Sequence, residues 1–101
     1  MDKYMNLTVI TPEGIIFKGQ VECAMFPGTM GIFTIWSDHA ALMSGLTSGN
    51  LRYITEGHNH EITLQHGFVE IRNNNILACI VTQERKHWYI TKLANKPSLT
   101  N

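Results

Sequence analysis

Polarity along the chain changes in short strides. Apolar residues recur at every second position or fill a brief continuous run, and turn residues separate the runs. LTVIT (7–11) leads into Pro12-Glu13-Gly14, where proline presets φ and glycine supplies a positive φ. IIFKG (15–19) follows. QVECAMF (20–26) alternates and predicts a half-buried strand, with Val21, Cys23 and Met25 on one side and Gln20, Glu22 and Ala24 on the other. Pro27-Gly28 breaks it, and GIFTIW (31–36), rich in β-branched and aromatic residues, predicts the next strand. LRYIT (51–55), a turn at 56–59 and HEITLQ (60–65) predict a hairpin. GFVEIR (67–72), the asparagine turn 73–75 and ILACIVTQ (76–83) predict another, since asparagine tolerates the left-handed backbone of a tight turn.

AALMSGL (40–46) is the one segment of helical character before the C-terminal region. It is short and holds Gly45, so it predicts at most one helical turn near 40–44, with Ser37 or Asp38 as its N-cap. ILACIV is apolar on both faces, which predicts a central strand or one covered by the tail or a partner. Strands at intervals of about eight to twelve residues predict an all-β, antiparallel sandwich or barrel. ERKHWYITKLANKPSLTN (84–101) fits a short amphipathic turn around Trp88, Tyr89 and Leu93 or a strand through Ile90 and Thr91, and Pro97 ends any helix.

Length and composition narrow the picture. A chain of 101 residues with 44% hydrophobic content suits one domain with its own core. No apolar run approaches the roughly 18 residues of a membrane-spanning helix. The start, MDKYMNLTVI, lacks a signal-peptide pattern, so the protein is expected to stay in the compartment where it is made. Residues 1–84 hold four basic and eight acidic residues, a net −4, whereas residues 85–101 carry +4 and no acid. An acidic body is a poor match for the phosphates of nucleic acid. Cys23 and Cys79 each lie in an apolar run and are expected as buried thiols, too far from other ligand types for a zinc site.

Residues able to do chemistry are present but poorly arranged for it. Ser37-Asp38-His39 offers a nucleophile, a carboxylate and a base, yet adjacent side chains diverge, and a triad needs the base to face the nucleophile. His58, His60 and His66 lie at or near a hairpin tip without a second ligand pair at metal spacing. The glycines form no phosphate-binding loop. Glu61 and Glu70 alternate with apolar neighbours and read as solvent-facing. The residues thus predict no catalytic, cofactor or metal site. A rival reading is a small β-barrel that binds single-stranded nucleic acid on Tyr53, Phe68 and Trp36. A further rival is a small hydrolase using Ser37 and His39.

The order of several weak motifs is more telling. TPEG (11–14), PGTMGIF (27–33), His39-Ala40, SGNLR (48–52) and HGFVEI (66–71) before an asparagine turn stand at spacings similar to those of the epsilon-subunit family of bacterial F-type ATP synthases, whose mitochondrial counterpart is called delta. The resemblance is to the N-terminal β-sandwich domain and covers residues 5–84. It implies a flattened, ten-stranded antiparallel sandwich over 1–84 and a basic tail over 85–101. It also implies a short form without the C-terminal helical hairpin, so that hairpin's ATP binding and inhibition of hydrolysis are not carried over. The implied role is non-catalytic: a central-stalk rotor subunit that links gamma to the membrane c-ring and couples ring rotation to ATP synthesis. Its implied place is peripheral, on the cytoplasmic face of the bacterial inner membrane, with no cofactor. On the family's pattern, Thr29, Met30, Gly31 and Ile32 face the c-ring, and Thr11, His39, Leu42 and Ser44 face gamma. The chain departs from that pattern where the family usually has glycine at Thr34, Pro-Gly at Ser37-Asp38 and proline at Ala41.

Overall fold

A computed structural model describes residues 4–82. Eight strands run through it: β1 (Met5–Thr11), β2 (Gly14–Val21), β3 (Cys23–Gly28), β4 (Gly31–Trp36), β5 (Leu42–Leu46), β6 (Gly49–Thr55), β7 (His58–Arg72) and β8 (Asn75–Thr82). The turns form where the local chemistry demands. Gly14 closes the β1–β2 hairpin at φ 132. Glu56-Gly57 (φ 52 and 77) joins β6 to β7, and Asn73-Asn74 (φ 51 and 61) joins β7 to β8. Positive φ at both central residues gives these two-residue turns a twist that matches the right-handed twist of the strands they connect.

The strands form one connected sheet in the order β2-β1-β8-β7-β5-β3-β4, with β6 pairing β3 and β7. β7 makes this possible. Its first half pairs β6 from Thr55↔His58 to Gly49↔Leu64, and its second half pairs β8 and β5. The register slips between Leu64 and His66, so the strand passes there from one layer to the other. Gly67 sits just beyond the slip, where a methyl group would run into the Cys79 carbonyl oxygen and the Ile80 backbone. Leu7, Val9, Val69, Ile71, Ile76 and Ala78 of one layer meet Ala24, Phe26, Ile35 and Leu51 of the other in a single buried cluster. Each large apolar side chain so buried contributes about 1.5–3 kcal/mol.

The all-β expectation holds; several finer ones do not. β1 runs parallel to β8, with Leu7 opposite Ile76 and Val9 opposite Ala78, so the sheet is mixed and not purely antiparallel. This pairing joins the β1–β2 and β7–β8 hairpins and makes β8 a central strand, which accounts for its apolar residues on both faces. The described residues form eight strands, not ten, and HEITLQ and GFVEIR are one continuous strand. No helical turn forms near 40–44. Residues 42–46 pair with β7 along their whole length, from Leu42↔Ile71 to Leu46↔Gly67, because ladder bonds and an apolar inner face outweigh a weak helical preference.

The alternation read across 20–26 is also corrected. The chain bends at Glu22, whose N–H donates to the Ile54 carbonyl (2.8 Å), and the bend ends β2 and begins β3. Ala24 and Phe26 consequently face the core while Met25 is half-buried. Cys23 is buried, as expected, whereas Cys79 is only half-buried. The tail expected over 85–101 lies outside the described residues.

Candidate functional site

β3 and β4 form a hairpin whose two-residue tip, Thr29-Met30, sits between Gly28 and Gly31. Met30 is 97% exposed and Ile32 is 74% exposed. No charged residue occurs anywhere in PGTMGIFTIW (27–36). The base of this apolar knuckle is firmly tied. Thr29 N–H donates to the Gly45 carbonyl (3.0 Å), and Thr47 N–H donates to the Pro27 carbonyl (2.8 Å). Phe26 and Phe33 stack beneath the knuckle with ring centroids 5.6 Å apart. Gly28 is required by close approach, since a methyl there would lie 2.7 Å from both the Gly31 carbonyl oxygen and the Phe33 ring. The four residues expected to face a ring, Thr29, Met30, Gly31 and Ile32, are all exposed and contiguous.

The residues expected to face gamma are not gathered in one place. His39 is exposed in the loop between β4 and β5. Its Nδ1–H donates to the Ala40 carbonyl (2.7 Å), which turns the ring back onto its own loop. Leu42 is half-buried against the core, and the half-buried Ser44 donates its hydroxyl to the Gly45 carbonyl (2.9 Å). Thr11 is only 7% exposed. Its hydroxyl accepts from Glu13 N–H (3.2 Å) and reaches Glu13 Oε1 (3.1 Å) and the Gly14 carbonyl (3.3 Å), so it shapes the turn whose exposed residues are Pro12 to Ile16. Thr11 also stands at the far end of β1 from Asn6, whose N–H donates to Asn74 O near the His39 loop. Five residues of strand separate those ends by about 17 Å.

Sequence reasoning missed a further feature. Ile15, Ile10, Cys79, Phe68 and Gly45 are successive cross-strand partners, and Thr29 bonds to the last of them. Ile15 is 59% and Phe68 46% exposed, so this row carries apolar surface across the outer face to the knuckle. The signal was present in ILACIV, whose second apolar face had to meet something. What a linear reading lacked was the register that aligns Cys79 with Ile10 and Phe68.

The rival chemistries find no assembled site among the described residues. Tyr53 is buried, packed between Phe17 (4.4 Å between centroids) and His60 (5.1 Å), and cannot serve as an open stacking platform. The Asp38 side chain bonds to Asn74 and not to the His39 ring. No group of three or more His, Cys, Asp or Glu side chains could hold a metal among the described residues. Burial pushes the Cys23 thiol pKa up, and the neighbouring Glu22 carboxylate adds to the shift, so this sulfur stays protonated and a poor nucleophile. A concavity of about 320 Å³ near Asn6, Glu70, Arg72 and Asn75 is open to solvent and lined by polar and apolar atoms alike.

The family model for the ATP synthase delta/epsilon chain, β-sandwich domain, matches residues 4–88. The chain belongs to this family. The epsilon chain of Endomicrobium trichonymphae is 38% identical over 76 residues, which cover 75% of this chain and 54% of that relative. The epsilon chain of Carboxydothermus hydrogenoformans is 35% identical over 81 residues, covering 80% and 60%. The chain thus spans a little over half the length of these curated delta/epsilon relatives. The fold is similar to that of a chain in the cryo-EM structure of the Euglena gracilis mitochondrial ATP synthase, OSCP/F1/c-ring, with a TM-score of 0.75 at 14% identity, covering 96% of this chain and 69% of that one. A chain in the Tetrahymena thermophila mitochondrial ATP synthase central stalk/c-ring structure gives 0.64 at 15% identity, covering 79% and 64%.

Proposed function

We infer that this delta/epsilon-family chain is a non-catalytic rotor subunit of the ATP synthase central stalk. It joins the gamma subunit to the c-ring and passes ring rotation on to ATP synthesis. The observation that carries the reading is the knuckle: an uncharged, apolar tip at nearly full exposure on a hairpin whose base is hydrogen-bonded to β5. An apolar tip held rigidly gains its stabilisation only when a neighbour covers it. The unbranched Met30 side chain can repack against an irregular surface such as the loops of a subunit ring. Thr29, Met30, Gly31 and Ile32 contact the c-ring. Gamma contacts the exposed His39; Leu42 and Ser44 lie in strand β5 beside that loop, and Thr11 shapes the separate β1–β2 turn that gamma meets at the other end of β1. The protein sits peripherally on the cytoplasmic face of the bacterial inner membrane. Chains of similar fold in mitochondrial ATP synthase structures that include the c-ring favour the stalk reading.

The test is co-purification. The full chain is produced together with gamma of the same synthase, isolated, and then mixed with detergent-solubilised c-ring. The expected result is a stable complex with gamma that binds the ring, with Ile32→Asp retained on gamma but lost from the ring. A chain that elutes apart from gamma at micromolar concentration overturns the reading.

A further inference from the structure

We propose that Asp38 and Asn74 form a positioning clamp that presents His39 to gamma, an inference that rests on the gamma-facing reading above. The loop of residues 37–41 has no ladder partner of its own. Among the described residues, its hydrogen bonds to another element are the two it makes with Asn74. Asp38 N–H donates to Asn74 Oδ1 (2.6 Å), and Asn74 Nδ2–H donates back to Asp38 Oδ1 (3.3 Å). The Asn74 amide is thus held at both its oxygen and its nitrogen, and it in turn holds the Asp38 backbone and carboxylate.

Both partners hold a backbone shape that most residues avoid. Asp38 has φ 67 and Asn74 has φ 61. Asp and Asn are the non-glycine residues that best tolerate this region, because a short polar side chain can bond locally. Asn74 is itself anchored: its carbonyl accepts from Asn6 N–H (2.8 Å), and Asn6 Nδ2–H donates to Asn75 Oδ1 (3.1 Å). The clamp therefore ties the β4–β5 loop to the β7–β8 turn and to the start of β1. His39 follows Asp38 directly, and its ring is already turned onto Ala40. With both constraints in place, the ring is ordered before a partner arrives. Ordering a loop in advance removes part of the entropic cost of docking and shows mainly in the dissociation rate.

Glycine substitutions separate the side-chain bonds from the backbone shape, because glycine adopts φ near 60 without strain. Asn74→Gly leaves the favourable Asn-Gly sequence in the β7–β8 turn, so the hairpin is retained. Asp38→Asn keeps both the oxygen acceptor and the tolerance of positive φ. Two readouts are taken on the full chain: hydrogen exchange of the Asp38 amide, which needs no partner, and affinity for purified gamma of the same synthase. Asp38→Gly and Asn74→Gly are expected to weaken gamma binding about five- to tenfold, mostly through faster dissociation, and Asp38→Asn to stay near wild type. Asn74→Gly is expected to speed exchange at the Asp38 amide about tenfold. Unchanged affinity in both glycine variants, alongside weakened binding by His39→Ala, overturns the inference by reducing the clamp to a structural link. An Asp38 amide that already exchanges freely in the wild type overturns it as well. Wild-type chain that fails to bind gamma overturns the gamma-facing reading and this inference together, and a slowly exchanging Asp38 amide distinguishes that failure from an unformed clamp.

Discussion

At one end of β4 the chain turns through Thr29 and Met30; at the other it wanders through Ser37 to Ala41. The first connection is two residues long, uncharged and tied at its base by backbone bonds, and it leaves its side chains nearly bare. The second is five residues long and polar, has no ladder partner, and is held by side chains 36 residues away. The contrast shows two ways of building a projecting surface. A short turn inherits rigidity from its strands and can spend its side chains on apolar contact. A longer loop must recruit side chains for its own order, here Asp38, and leaves the adjoining His39 exposed to a partner. The six residues of β4 span about 17 Å, so the two surfaces can meet two different neighbours at once.

The largest expected effect compares inside and outside of one hairpin. Phe26→Ala empties a fully buried site beneath the knuckle and is expected to cost about 3–5 kcal/mol. Met30→Ala is expected to stay within about 0.5 kcal/mol. Thermal unfolding separates them, since each kcal/mol moves the midpoint by about 4–8 °C in a domain of this size. Equal losses would mean that the tip is packed inside. Next comes Gly28→Ala, which forces a methyl against the Gly31 carbonyl and the Phe33 ring and is expected to cost about 1–3 kcal/mol in urea unfolding. Neutrality there would show that the base of the knuckle is slack. Asp38→Ala is expected to cost about 1–2 kcal/mol, because it removes the hydrogen bond from Asn74 Nδ2 and puts alanine at positive φ. Asp38→Gly should cost less than Asp38→Ala; the reverse order would remove backbone shape from the account of the loop.

The smallest effect is a pH slope. The folded state raises the Cys23 thiol pKa, chiefly by burial, so it holds that proton more tightly than the unfolded chain does. The resulting stability is fully present below the unfolded thiol pKa of about 8.5 and is lost as pH rises through the folded one. Tyr53, also raised by burial, adds a loss in the same direction at higher pH. Cys23→Ala is expected to flatten the first part of the alkaline decline in denaturant midpoint. An unchanged decline would assign it elsewhere.

Much of this was legible in the chain because strands and turns are local. Pro12-Gly14, Glu56-Gly57 and Asn73-Asn74 announce their turns through φ requirements that few other residues meet. The knuckle was legible too, since apolar residues flanked by Pro27-Gly28 and Gly31 have nowhere to hide in a tight turn. What stayed hidden depends on pairing at a distance. β5 looks weakly helical until β7 supplies a ladder, and the phase of 20–26 is reset by a bend whose partner is Ile54. The parallel pairing of β1 with β8 leaves no local trace. Thr11 looked like a contact residue by motif alone, yet its own hydroxyl bonds draw it into the turn. The clamp at Asp38 looked like a helix cap because the same side-chain chemistry serves both, and only the partner, Asn74, tells them apart.

In the proposed rotor, the ring grips the bare tip of the β3–β4 hairpin. The direct measurement is proton-driven ATP synthesis in membranes whose synthase carries Met30→Asp in this chain, with gamma binding and melting temperature recorded beside it. The expected result is a folded chain that still holds gamma while synthesis falls sharply. Synthesis at the wild-type rate, with the variant chain present in the assembled complex, would contradict it.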